Sequence, residues 1–136
     1  MANPNIVSVS SIYGESVAFH LTTTTSTTLM TVSSDKLLKL NSITCANVDG
    51  TNNATLTLYV SKANFTSGGV TNFDTSGDFY LAKTVNVPAD DILNLLEKPI
   101  YMMEADVLKG GANAASDLDL FISYEVIDDA QYTQKG

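Results

Sequence analysis

The chain has 136 residues, 44% of them hydrophobic, and a formal net charge of −8 from Lys+Arg 7 against Asp+Glu 15. That length suits a single domain, spanning 1–136, that hides about two-thirds of its unfolded surface, and no apolar run approaches the ~20 residues of a membrane-spanning helix. Every basic residue is a lysine, so the planar fork that grips phosphate and guanine is missing and the acidic field repels nucleic acid. Neither a nucleic-acid nor a membrane partner is expected.

The opening MANPNIVSVSSIYG lacks the basic and apolar regions of a signal peptide, which predicts folding in a cytoplasm. Within it, Ile6, Val7, Val9 and Ile12 alternate well enough for a first strand or an ordered arm over 1–12, and Tyr13-Gly14 is expected to end it. Val17, Phe19 and Leu21 then share one face of a second strand. Thr22–Thr28 holds only Thr and Ser; β-branched Thr favours extended backbone, and the segment reads as a hairpin tip or sheet edge before the apolar run Leu29–Val32.

The sharpest signal lies in Lys36–Val60. Leu56, Leu58 and Val60 alternate with Thr55, Thr57 and Tyr59, the period of a half-buried strand. Upstream, Leu38 and Leu40 share a face, but Ile43 and Cys45 have changed parity, which predicts a bulge or bend near Asn41 and Ser42. Val48 changes parity again. Asp49-Gly50-Thr51-Asn52-Asn53 between the runs carries the residues of a short loop, so the whole stretch reads as a long antiparallel hairpin.

Ala63–Asp78 is rich in Gly, Ser, Thr and Asn and reads as a long loop, whose Phe65, Val70 and Phe73 either pack it down or offer a contact surface. Phe79, Leu81, Val85 and Val87 share one face of the next strand, with Lys83 as the exception. Asp91–Leu96 fits a strand or one helical turn. Ile100–Met103 and Val107–Leu108 read as extended backbone about a tight turn, and Gly110–Ser116 as a flexible connector. Leu118, Leu120, Ile122, Tyr124 and Val126 then alternate through the clearest strand, before a frayed tail at 130–136. The sum is an all-β chain, an antiparallel β-sandwich or jelly roll of about eight short strands.

Chemistry is sparse. Cys45 is the single cysteine and His20 the single histidine, the thiol in a predicted buried strand and the imidazole with no Asp or Asn at a supporting spacing. Asp90-Asp91, Asp128-Asp129 and the Asp117/Asp119 pair have unspecific spacing, and no calcium loop, zinc spacing, phosphate cradle or serine elbow is present. The expectation is no enzyme, no metal and no cofactor. The acidic run from Glu104 to Asp129 reads as solvated surface.

The segments MANPNIVSVSSIYG, NSITCANVDGTNNATLTLYV, VNVPADDILNLLEKPIYMMEADVL and DLDLFISYEVID together resemble small virion structural proteins of tailed bacteriophages, especially those of marine cyanobacteria. Tyr101, Glu104 and Asp106 fit a pattern of that group in which Ala105 stands where Gly is usual, and Ala63–Asp78 resembles an insertion. The resemblance implies a homo-oligomeric virion component made in the host cytoplasm, a capsid decoration or cement protein on the major capsid protein. Docking would use an edge strand or the amino-terminal arm, through Ile6, Val7, Val9 and Ile12. The alternatives are a neck, tail or fibre-base protein, and a carbohydrate-binding module stacking sugars on Tyr59, Tyr80, Tyr101 and Tyr132.

Overall fold

The computed structural model describes residues 12–128. Its strands are β1 (Ile12–His20), β2 (Thr28–Thr31), β3 (Lys36–Asn47), β4 (Ala54–Lys62), β5 (Gly77–Val87), β6 (Ile92–Asn94), β7 (Ile100–Met102), β8 (Val107–Ala112) and β9 (Leu118–Asp128). One sheet runs β1-β9-β3-β6, with β7 also on β3; the other runs β2-β8-β4-β5. β6 and β7 lie against successive stretches of β3, Thr44–Ala46 and Leu38–Leu40, and so form one strand interrupted at 95–99.

Counted that way, the first strand pairs with the last, the second with the next to last, and so inward to β4 with β5. This is a long antiparallel ribbon with its tip at 63–76, rolled so that consecutive strands of each arm fall in opposite sheets. The result is a jelly roll, within the fold class that the strand pattern predicts.

The rolled ribbon closes on one core. β9 contributes Leu118, Leu120, Ile122, Tyr124 and Val126 as expected, and β4 faces them with Ala54, Leu56, Leu58 and Val60. Leu40, Leu56, Leu58, Leu108, Leu118 and Leu120 are all 0% exposed, each worth about 1.5–3 kcal/mol of burial. The parity change in β3 is a bulge: its register on β9 slips between Leu40 and Ser42, so Leu38, Leu40, Ile43 and Cys45 all reach this core. Val48 lies beyond β3 and is exposed.

The long hairpin expected over Lys36–Val60 is not formed, because β3 and β4 belong to different sheets. Buried Asn47 turns the chain across. Its amide donates to Asn52 O at 3.0 Å and Val87 O at 2.9 Å, while its Oδ1 accepts the Asp49 N–H. The predicted short loop does follow, with Asp49 Oδ1 accepting the Thr51 N–H at 2.8 Å; this bond, with two from Asn52, holds the Asp49 carboxyl below its usual range. Periodicity marks an apolar face but not whether two such faces lie side by side or across a core.

Other boundaries also move. Tyr13-Gly14 does not end a strand, for β1 runs through both with unbroken register on β9. Of the two readings of Thr22–Thr28, the sheet edge holds and the hairpin tip does not. The segment crosses from the first sheet to the second and runs along β8 into β2, with Thr27 and Thr22 accepting N–H bonds from Gly110 and Ala112. Gly110 and Gly111 are accordingly strand residues rather than a flexible connector, since a Cβ would meet Thr57 O at 2.5 Å and Thr24 O at 2.7 Å.

In β5, Thr84 takes φ 49° and the register on β4 shifts. That extra residue explains why Lys83 breaks the pattern and places Ala82, not Lys83, in the core. Asp91–Leu96 resolves as strand β6. The tight turn after β7 forms although Ala105 stands where Gly is favoured, and Ala105 carries φ 71°.

Candidate functional site

β1 is the outer strand of the first sheet, and no strand pairs its free side among the described residues. Val17 and Phe19 point inward, opposite Ile122 and Leu120 of β9. Ile12, Gly14, Ser16, Ala18 and His20 point outward. On that outer face the pairing aligns Ala18, Phe121 and Thr44 in one row and Ser16, Ser123 and Ser42 in the next. Small side chains thus surround Phe121, which is 52% exposed.

On the inner side, β1 and the short β2 stand apart and leave a cleft of about 290 Å³ lined by Tyr13, Val17, Leu29, Leu38 and Val126. Tyr124 donates its hydroxyl to Glu15 Oε1 at 2.8 Å along this wall. Burial first, then the Glu15 hydrogen bond and charge, push its phenol up to about 12. At the far end of β1, His20 Nδ1 lies 2.7 Å from Asp119 Oδ1. The supporting carboxylate absent from the local sequence is therefore supplied across the sheet, from 99 residues away, on a surface where the imidazole side chain is 85% exposed.

Of the residues predicted for docking, Ile6, Val7 and Val9 lie outside the described residues. Ile12 opens β1, half-buried opposite Ile127. Phe65 and Phe73 stack on one another at 5.2 Å between ring centroids, with Lys62 Nζ 5.0 Å over Phe65, so these two rings pack the loop down. Val70 is 60% exposed at its surface. Ile12 belongs to the first sheet, whereas the Phe pair belongs to the tip of the ribbon after β4.

The tyrosines proposed for sugar stacking are divided likewise. Tyr59 and Tyr80 pair at 4.8 Å on the outer face of the second sheet, with Tyr59 buried. Tyr101 sits beside Lys39 on the first sheet, and Tyr132 lies outside the described residues. No single groove gathers them.

Cys45 is fully buried, and desolvation, with the Asp119 charge second, pushes its thiol up to about 11. Such a thiol is a poor nucleophile at neutral pH. Among the described residues no group of three or more His, Cys, Asp or Glu could hold a metal ion, and no helix is long and apolar enough to cross a membrane.

A buried polar centre escaped the sequence reading. Asp106 is 1% exposed; its carboxylate accepts from Lys62 Nζ at 2.7 Å, the Ala63 N–H at 3.0 Å and the Met103 N–H at 2.9 Å. Its backbone oxygen accepts the Val32 N–H. One side chain thus ties the start of the ribbon tip to the β7–β8 turn. No protein-family model matches this chain, and neither a curated protein nor a solved structure matches it.

Proposed function

We propose that this chain is a non-enzymatic structural protein of a tailed-phage virion, a capsid decoration or cement protein held on the outside of the head by the major capsid protein. The observation that carries the reading is the jelly roll with one long, regular edge, β1, whose outer side no strand pairs among the described residues. An edge of that kind recruits a neighbour through backbone hydrogen bonds. Jelly rolls also serve in viral capsids, a support by fold analogy alone, since lectins and cupins use the same architecture.

Of the alternatives, glycan recognition gains nothing from tyrosines that lie on separate sheets. A neck, tail or fibre-base position differs from a head position only in address, and imaging tells them apart. Labelled protein located on purified virions is expected to cover the head regularly and in high copy, and heads lacking it are expected to be fragile. Label confined to the tail or neck refutes the decoration role; absence from particles refutes the virion role.

A further inference from the structure

The outer edge of β1, which no strand pairs among the described residues, fits a second copy of itself. We infer that two chains pair β1 to β1 antiparallel about a two-fold axis through Ser16, joining their first sheets into one continuous sheet.

The other edges are unsuited to this. β2 has four residues and a register shift, and β6 and β7 have three each. β5 is long, but its register shifts twice, Thr84 is left-handed and Lys83 projects from it. Bulges, lysines and short strands are the devices that keep edges from pairing. β1 has none of these three: its nine residues, IYGESVAFH, hold unbroken register on β9 and contain neither Lys nor Pro, and its inward carboxylate, Glu15, is engaged by the Tyr124 hydroxyl.

The sequence of β1 also selects the register. Residues directly opposite one another share a face, so the axis must pass through a residue rather than between two. An axis at Glu15 would set two carboxylates opposite each other, and one at Val17 would leave Ile12 and Tyr13 beyond the paired strand. The axis at Ser16 pairs all nine residues. On the inner face it sets Tyr13 against the partner copy's Phe19 and Glu15 against Val17, an aromatic pair, with the two Glu15 carboxylates diagonal rather than directly opposite. On the outer face Gly14 meets Ala18 and Ser16 meets itself. Tyr13, 44% exposed in the single chain, gains a ring to pack against.

The net charge of −8 on each copy opposes the approach, so association strengthens as salt screens that repulsion. This inference deepens the reading of β1 as a recruiting edge and needs no virion; a purified chain in solution tests it apart from the particle role.

Sedimentation of the full chain is expected to give twice the chain mass, with tighter association at higher salt. Ser16→Lys and Ser16→Glu alter an exposed side chain, and each alone sets like charges face to face. Each is expected to weaken the dimer about tenfold while leaving the far-ultraviolet spectrum and the melting temperature of the separated chains unchanged. An equal mixture of the two variants is expected to regain a dimer, now heterotypic. Wild-type chain that stays monomeric at high salt overturns the inference, as does a dimer indifferent to both substitutions.

Discussion

Asp106→Ala tests the buried polar centre most directly. Alanine leaves the N–H groups of Ala63 and Met103 without the carboxylate they donate to at 3.0 and 2.9 Å. A hydrogen bond to a charged acceptor is worth about 1.5–3 kcal/mol, so the two together predict a loss of about 3–6 kcal/mol. Lys62 adds little, since its side chain is 22% exposed and its ammonium reaches water once the carboxylate is gone. At a urea slope of about 2 kcal/mol per molar, the unfolding midpoint falls by about 2 M. Asp106→Asn keeps one acceptor oxygen and is expected to lose about half as much. Lys62→Met keeps both amide bonds but leaves the buried carboxylate without its counter-charge, at a cost of about 3–5 kcal/mol. Urea melts of the three variants measure these losses. An Asp106→Ala loss below ~1 kcal/mol would refute the assignment of the stability to the amide bonds.

Ala105→Gly is expected to stabilise the protein by about 0.5–1 kcal/mol in the same melts, because a left-handed φ of 71° strains Ala but not Gly, less the extra freedom Gly gives the unfolded chain. Asn47→Ala is expected to cost about 2–4 kcal/mol, since it removes the bonds that turn the chain from one sheet into the other. In alkaline solution the folded Tyr124 keeps its proton to about 12 while the unfolded one loses it near 10. The unfolded state then binds fewer protons, so the Tyr124 contribution to stability is complete below pH 10 and is lost as pH rises toward 12. Tyr124→Phe is expected to flatten that fall, leaving the fall due to the Cys45 thiol, which has the same sign and runs from about pH 9 to about 11; an unchanged slope between pH 11 and 12 would show that Tyr124 does not carry it.

Strand content was legible wherever one face is apolar and the other polar, as in β9, where Leu118 to Val126 alternate without exception. The bulge at Asn41–Ser42 was legible too, because a slip of one residue leaves a trace in parity. Sheet membership was not. β3 and β4 each announce an apolar face, and the same alternation serves two strands side by side or two strands facing across a core. Gly110 and Gly111 misled for a related reason: glycine signals a turn locally, whereas here it admits the backbones of Thr57 and Thr24. The polar contacts of the candidate region were invisible because their partners are far apart in sequence, Glu15 with Tyr124 across 109 residues and His20 with Asp119 across 99.

The edge of β1 is open for a reason that the roll itself supplies. In a ribbon wound from its tip, the first strand ends at a sheet margin, and among the described residues it pairs only with the last. A bulge would normally blunt such a margin, but the inner face of β1 sets Val17 and Phe19 against the core and Glu15 against the Tyr124 hydroxyl. One inserted residue would turn that face outward. Proline would remove a donor from the strand, and any position bonded to β9 would lose part of the pairing. A lysine on the outer face carries neither penalty, since Ser16 and Ala18 are exposed. The cheapest protective device is therefore compatible with the fold and absent from the sequence, which is the condition a recruiting edge requires. Ser16→Lys thus separates the two roles of β1: it is expected to hold the melting temperature of the single chain within about 1 °C while weakening self-association about tenfold, because exposed substitutions of this kind shift stability little. A melting temperature that falls together with the dimer at monomer concentrations would mean that Ser16 serves the fold itself, and β1 would then be a core strand that happens to lie at an edge.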